Sequence, residues 1–358
     1  MNLSTVIFKK MYNKIKKAIV QIATKTKLKN RIIAESFLGR KADDNITIFL
    51  AQYQSEFEVY HVQMRKMKSA LPYGKRLIKN SFKYIWYMHT SKYIVVNSRL
   101  HNSLIKKRAE QKVIQMWHGI PWKKLAFDQK NICFSKQTKE QYLKKFYSDV
   151  EKWDYLWVAN QYAKSKLVSA FKYNKKFIHS MYPADKKMLS LNNIDYINTL
   201  KVKMGLSQTQ KIILYMPTFR EHLSTKRGNY QYYSNIDINK MSNENQDYLF
   251  LVRTHYLILG EINLEQKNIL NMSKYNSIID LYLVSDILIT DYSSALFSFS
   301  LLKKPIISLQ FDLEEYQKTR GLYPEGIIGM NITEIKTLEQ LNSLSFAELK
   351  PTKPQKMY

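Results

Sequence analysis

NSIIDLYLVSDILITDYSSALFSFSLLKKPIISLQF, residues 276–311, carries the pattern that decides the fold. NSIIDLYLVS (276–285) spaces its apolar residues as a helix does. DILITDYS (286–293) reads as a strand whose short apolar run is of the kind buried on both faces of a parallel sheet. Asp291-Tyr292-Ser293-Ser294 is turn and cap chemistry, ALFSFSLL (295–302) reads as an apolar helix, and PIISLQF (305–311) as the next buried strand. Strand, helix, strand in that order is a βαβ unit, so the sheet it belongs to is parallel.

The same alternation continues in both directions. KIILYMPT (211–218) and YLFLVRTH (248–255) read as further strands of this half. Nearer the N-terminus, ITIFLA (46–51), KYIVVNS (92–98), KVIQMWHG (112–119), YLWVAN (155–160) and KKFIHSMYP (175–183) read as strands separated by helical patterns. The chain is therefore expected to be α/β, with two doubly wound halves and a hinge around Tyr182–Leu200. Residues 31–182 form the first domain, 183–340 the second, and 341–358 a C-terminal tail. Ligands of such halves are expected in a central cleft, outside the carboxyl ends of the strands. Before the first half, residues 5–30 read as a basic amphipathic helix. Val6, Ile7, Met11, Ile15, Ala18, Ile19 and Ile22 recur at near-helical spacing among Lys9, Lys10, Lys14, Lys16 and Lys17. Such a helix either lies in an anionic interface or packs on its own domain with a solvated lysine face.

Composition narrows the function. The 358 residues are 45% hydrophobic, enough for two buried cores, and 57 Lys and Arg face 29 Asp and Glu, a formal charge of +28. A chain so charged is drawn to polyanions: nucleic acid, anionic lipid or a phosphate-rich polymer. Cys133 is its single cysteine, which excludes a disulfide framework and a multi-cysteine metal site. No run of 18 apolar residues and no signal-type apolar region is present, so a cytosolic or surface-lying protein is expected. Phosphate-binding GxxxxGK[ST] and GxGxxG loops are absent, as is a carboxylate-rich DxD segment, so neither cofactor nor metal is expected. No RNA-binding, helix-turn-helix or zinc pattern occurs, so nucleic acid is not the expected partner.

Three strand ends carry chemistry. Gln115-Met116-Trp117-His118-Gly119-Ile120-Pro121-Trp122-Lys123-Lys124 puts a histidine at a turn, where a neutral imidazole suits general-base work, with lysines able to hold phosphate close behind. Arg253 and His255, at the end of the 248–255 strand, lie on one face of an extended segment and can address one anion. Thr290, Ser293 and Ser294, at the start of the 295–302 helix, offer hydroxyl and backbone N–H groups to a phosphate, or serve as an ordinary cap. Met216-Pro217-Thr218-Phe219-Arg220 ends the strand that begins at 211 and places Arg220 near the same cleft, and a carboxylate in Phe311–Tyr316 can reach ribose hydroxyls; Glu315 is the candidate.

In order and spacing these segments resemble the CDP-glycerol:polyglycerolphosphate glycerophosphotransferases, the teichoic-acid primases and polymerases. The resemblance opens at Glu35-Ser36-Phe37 with Gly39 and Asn45 and runs through Tyr93–Asn97. It becomes specific at QMWHGIPWKKLAFD (115–128), and continues through YMPTFR (215–220), VRTH (252–255), DILITDYSS (286–294), KKPIISL (303–309) and FDLEEYQKTRG (311–321). It implies a GT-B architecture of two Rossmann-like domains, the second holding the donor. It further implies His118 as the base for the acceptor hydroxyl, His255 and Arg253 as contacts to the donor phosphates, and Thr290, Ser293 and Ser294 as the pyrophosphate cradle. CDP-glycerol is the implied donor, and a lipid-linked (undecaprenyl) or polymeric hydroxyl the acceptor, in teichoic acid or capsule synthesis. CMP leaves, without required metal, at the cytoplasmic face of the membrane. Two segments depart from the family pattern: Met181-Tyr182-Pro183-Ala184-Asp185-Lys186 stands where Gly-Tyr-Pro-Arg-Asn-Asp is usual, and Ser298 where an Asp commonly follows TDYSS. A transferase of the same fold using CDP-ribitol or a nucleotide sugar fits the same motifs, and a non-enzymatic polyanion-binding protein fits the charge alone.

Overall fold

A computed structural model describes residues 3–66, 73–100, 105–131, 138–218, 224–226, 229–230, 236–254, 264 and 266–358, with backbone alone for 3–10, 224–226 and 229–230. The residues group into two compact units: Met1–His118, Lys144–Val158 and Tyr173–Pro183 form the first, and Gly119–Leu143, Ala159–Lys172 and Ala184–Tyr358 the second.

The first unit is built on seven parallel strands: β1 (Lys29–Glu35), β2 (Glu58–Gln63), β3 (Lys75–Ile78), β4 (Ser91–Val96), β5 (Lys112–Gln115), β6 (Tyr155–Val158) and β7 (Lys176–His179), in the spatial order β3-β2-β1-β4-β5-β6-β7. Ile32, Ile33 and Ala34 of β1 and Ile94, Val95 and Val96 of β4 are all buried, as consecutive residues must be in a strand covered on both faces. ITIFLA (46–51), expected as a strand, lies instead in the helix Asp44–Ala51. Asp43 caps that helix, accepting from Ile46 N at 3.1 Å. Its buried residues, Ile46, Phe49 and Leu50, follow the helical period rather than the alternation of a strand.

The N-terminal helix spans Leu3–Lys25, stopping short of the expected residue 30. Tyr12 anchors it: its ring centroid lies 4.9 Å from that of Phe82, and its hydroxyl donates to Asn80 O at 2.9 Å. Lys16, Val20 and Ala23 are buried on that side, whereas Met11, Ile15 and Ile22 are exposed. Among the described residues no helix is long and apolar enough to cross a membrane.

The second unit holds β8 (Lys211–Met216), a two-stranded antiparallel ribbon of β9 (Ser224–Lys226) and β10 (Asn229–Tyr230), and then β11 (Tyr248–Val252), β12 (Ile269–Asn271), β13 (Ile287–Thr290), β14 (Ile306–Leu309) and β15 (Thr333–Ile335). Its main sheet is parallel, in the order β12-β11-β8-β13-β14-β15. Ile213, Tyr215, Phe250, Val252, Ile289 and Ile307 belong to one apolar core with Leu341 and Phe346. The βαβ unit of 276–311 has the helix Ile278–Val284, then β13, then the helix Ala295–Ser300, two residues shorter than expected, then β14. The C-terminal tail runs along this unit: buried Thr352 donates to Lys304 O at 2.8 Å, and Tyr358 N to Ala159 O at 3.0 Å.

Candidate active site

In the first unit the chemistry gathers beyond the ends of β1, β4 and β5. After β5, Trp117 takes a left-handed backbone (φ +58°), a conformation that costs a bulky residue about 1–3 kcal/mol. Gln115 Oε1 holds the turn by accepting from Trp117 N at 2.9 Å. His118 comes next, its ring 4.3 Å from that of Trp117 and 5.8 Å from that of Phe37. Its Nδ1 lies 2.9 Å from Asn97 O. A carbonyl can only accept, so Nδ1 carries a proton and the lone pair of the neutral ring sits on Nε2. Desolvation by surrounding protein lowers the imidazole pKa, the Asn97 hydrogen bond opposing it, although the residue itself is exposed to solvent. Neutral at pH 7 and wet on one side, it has the form a general base needs.

Asn97 is completely buried, and its Oδ1 accepts from Phe37 N at 2.8 Å. Phe37, Leu38 and Gly39 are left-handed in succession (φ +44°, +60° and +78°), a strained turn beside His118. A part-buried ion pair fixes that turn. Lys79 Nζ lies 2.6 Å from Glu35 Oε1 and donates to Leu38 O at 3.1 Å, and Tyr84 donates to Glu35 Oε2 at 2.9 Å. The sequence marked Asn97 and the Glu35–Gly39 segment only through the family resemblance. Their roles come from backbone contacts that residue types do not announce.

In the second unit β11, β8, β13 and β14 are neighbours, so the segments leaving their carboxyl ends lie along one edge of the sheet. Buried Asp291 clamps two of these ends, accepting from Thr218 N at 3.0 and 3.2 Å. The Thr290 hydroxyl donates to Met216 O at 2.7 Å with no exposed surface, so the sheet takes it rather than an open cradle. Ser293 Oγ accepts from Ala295 N at 3.2 Å; Ser294 occupies the cap position without a side-chain cap hydrogen bond. Gly119 approaches it so closely (φ +134°) that a Cβ there would lie 2.9 Å from Ser294 Oγ. Glycine is needed at this position on both counts. Trp122, Tyr292 and Tyr316 make an aromatic row, Tyr292 stacked on Tyr316 at 4.0 Å and Lys123 Nζ 5.6 Å from the Tyr316 centroid. Tyr292 donates to Asp312 Oδ1 at 3.0 Å, and Glu315 is exposed one turn along the helix Leu313–Thr319.

Arg253 is buried after β11, its Nη1 donating to Tyr275 O at 2.9 Å. His255 and Arg220 lie outside the described residues. The two departures from the family pattern meet in this unit: buried Asp185 is hydrogen-bonded to Ser298, and burial lifts its carboxyl pKa to about 6, Ser298 opposing. Among the described residues no group of three or more His, Cys, Asp or Glu is placed to hold a metal ion.

The sequence profile of the CDP-Glycerol:Poly(glycerophosphate) glycerophosphotransferase family matches residues 4–333. The teichoic acid poly(glycerol phosphate) polymerase of Bacillus spizizenii is 36% identical over 305 residues, covering 82% of this chain and 77% of its own. The teichoic acid glycerol-phosphate transferase of Staphylococcus aureus is 32% identical over 340 residues, covering 90% and 86%. Among solved structures, the wall teichoic acid polymerase TagF soaked with CDPG superposes with a TM-score of 0.80 at 27% identity, over 94% of this chain and 85% of that one.

Proposed function

We propose, from the premise that the chain belongs to the CDP-glycerol:poly(glycerophosphate) glycerophosphotransferase family, that it moves glycerol phosphate from CDP-glycerol to a hydroxyl of a lipid-linked or polymeric acceptor. The observation that carries this reading is the held tautomer of His118, whose Nδ1 donates to Asn97 O at 2.9 Å. Nε2 is then the atom that takes the acceptor hydroxyl proton while the oxygen attacks the glycerol-bearing phosphorus. A new P–O bond forms, the bond to the CMP oxygen breaks, and CMP leaves with that electron pair. Positive and hydrogen-bonding groups must meet the charge that develops on the phosphates. In this reading Arg253, Lys123, Ser293 and Ser294 supply them, together with His255 and Arg220, and Glu315 receives the ribose. The architecture is of the GT-B type, the second unit holding the donor.

The N-terminal helix supports a location at an anionic membrane surface on the cytoplasmic side, where a lipid-linked acceptor is met. Exposed Met11, Ile15 and Ile22 recur on one side of it among Lys14, Lys17 and Lys25. Each surface lysine contributes about 1 kcal/mol of attraction to such a membrane.

Calorimetric titration with CDP-glycerol, CDP-ribitol, UDP-glucose and CMP tests the donor. Selective binding of CDP-glycerol is expected. Preference for CDP-ribitol or the nucleotide sugar would move the enzyme to a neighbouring transferase activity, and absence of nucleotide binding by folded protein would overturn the reading.

A further inference from the structure

Beside the aromatic row, the second unit has a pocket of about 700 Å³, within the range of small-ligand sites. Among the described residues Lys124, Lys130, Lys318 and Arg320 line it against one carboxylate, Glu314. Among the described residues the ammonium groups of Lys124, Lys130 and Lys318 have no ion-pair partner. The walls are tied together. Lys124 N donates to Gly321 O at 2.9 Å, and Lys123 and Leu322 form a β-bridge. Gly321, at φ +77°, leaves room for the Lys124 stem, since a Cβ there would lie 2.9 Å from Lys124 Cδ. Asn131 Nδ2 donates to Lys318 O at 3.2 Å, and Gln317 Oε1 accepts from Leu322 N at 3.1 Å. Successive side chains of an extended segment point to opposite sides. Lys123 thus turns to the Tyr316 ring while Lys124 turns into the pocket.

A pocket so charged selects an anion. Among the described residues no aromatic ring lines it, so they offer no stacking surface of the kind on which single-stranded nucleic acids and nucleobases are held. We infer that it binds phosphodiester groups of a polyol phosphate chain, units of the acceptor behind the hydroxyl that reacts. The anion site stands on the pocket itself; its occupant rests on the transferase reading above. The enzyme then grips a growing chain by its backbone charge and favours acceptors that already carry several units.

The test is calorimetric titration of the full chain with a glycerol phosphate hexamer, for wild type, the charge reversal Lys130→Glu with Lys318→Glu, and the conservative pair Lys130→Arg with Lys318→Arg. Both lysines are exposed, and CDP-glycerol affinity serves as the control for an intact fold. The reversal is expected to weaken hexamer binding at least 10-fold, and the arginine pair to restore it to within about threefold, because phosphate contacts act through charge. Hexamer affinity unchanged by the reversal overturns the proposal. So does a single-stranded oligonucleotide of equal phosphate number that binds as tightly through the same lysines. A wild-type chain that binds the hexamer through these lysines but not CDP-glycerol would sink the transferase reading and leave the anion site standing.

Discussion

At the scale of single residues, His118 depends on a proton it does not give away. Because Nδ1 is committed to Asn97 O, rotation of the ring would forfeit a part-buried hydrogen bond, and Nε2 stays the basic atom. His118→Ala should lower kcat by ~10²–10⁴-fold while CDP-glycerol affinity stays within about twofold, since a general base contributes to the rate and little to ground-state binding. The pH dependence is set by the direction of the shift. The base works when deprotonated, and burial lowers its pKa from the ordinary 6.5. The acidic limb of kcat/KM should therefore fall below about pH 6.5, with full activity at neutral pH. Steady-state rates between pH 5 and 8 check both points, and wild-type turnover by the alanine variant would remove His118 from the mechanism.

At the scale of elements, the helices Pro183–Leu191 and Ala295–Ser300 meet through Asp185 and Ser298. Asp185, on the first, is hydrogen-bonded to Ser298, on the second, in a buried place that lifts its pKa from 3.8 to about 6. A raised carboxyl pKa means that the charged form is disfavoured in the folded state. Its contribution to stability is full below pH 3.8 and is lost as pH rises through about 6. At ~1.4 kcal/mol per pKa unit the loss is at most about 3 kcal/mol. Asp185→Asn should match wild type at pH 4 and exceed it by ~1–3 kcal/mol at pH 7.5 in urea unfolding; parallel curves at the two pH values would show that no buried charge is involved. The elements themselves were unequally legible. β4, β8, β13 and β14 could be read because central parallel strands are continuous apolar runs. β3, β12 and β15, edge strands of three or four residues with mixed burial, were not read as strands, and neither were β1 and β2 inside the first sheet, whose Lys, Arg, Glu, His and Gln residues break the apolar run. ITIFLA misled because β-branched residues imitate a strand, while the Asp43 cap and the three-then-four spacing of Ile46, Phe49 and Leu50 set a helix. Within the proposed site, His118, Ser294 and Lys123 are candidates that residue type and position alone suggest. Thr290 could not be excluded that way, since only the structure shows its hydroxyl turned back to Met216 O.

At the scale of the molecule, a charge of +28 must be spent on something more specific than repelling itself. The pocket around Lys124 and Lys318 accounts for a few of these charges, and the N-terminal helix, with its lysines around exposed Met11, Ile15 and Ile22, accounts for others. A helix that only packed on its own unit would turn those apolar side chains inward, yet Ile22 is 60% exposed and Met11 52%, while Lys16 is buried. That inversion suits a second surface, apolar at its depth and negative at its face. The chain is therefore expected to sediment with phosphatidylglycerol vesicles and not with phosphatidylcholine vesicles. Binding should weaken as salt shortens the screening length from ~30 Å at 0.01 M to ~10 Å at 0.1 M. Replacing Ile15 and Ile22 together by Glu sets two carboxylates into the apolar stripe and should weaken vesicle binding at least 10-fold, with CDP-glycerol affinity unchanged. If the double variant binds vesicles as wild type does, the helix is not the membrane contact. Its exposed apolar residues would then need a different partner.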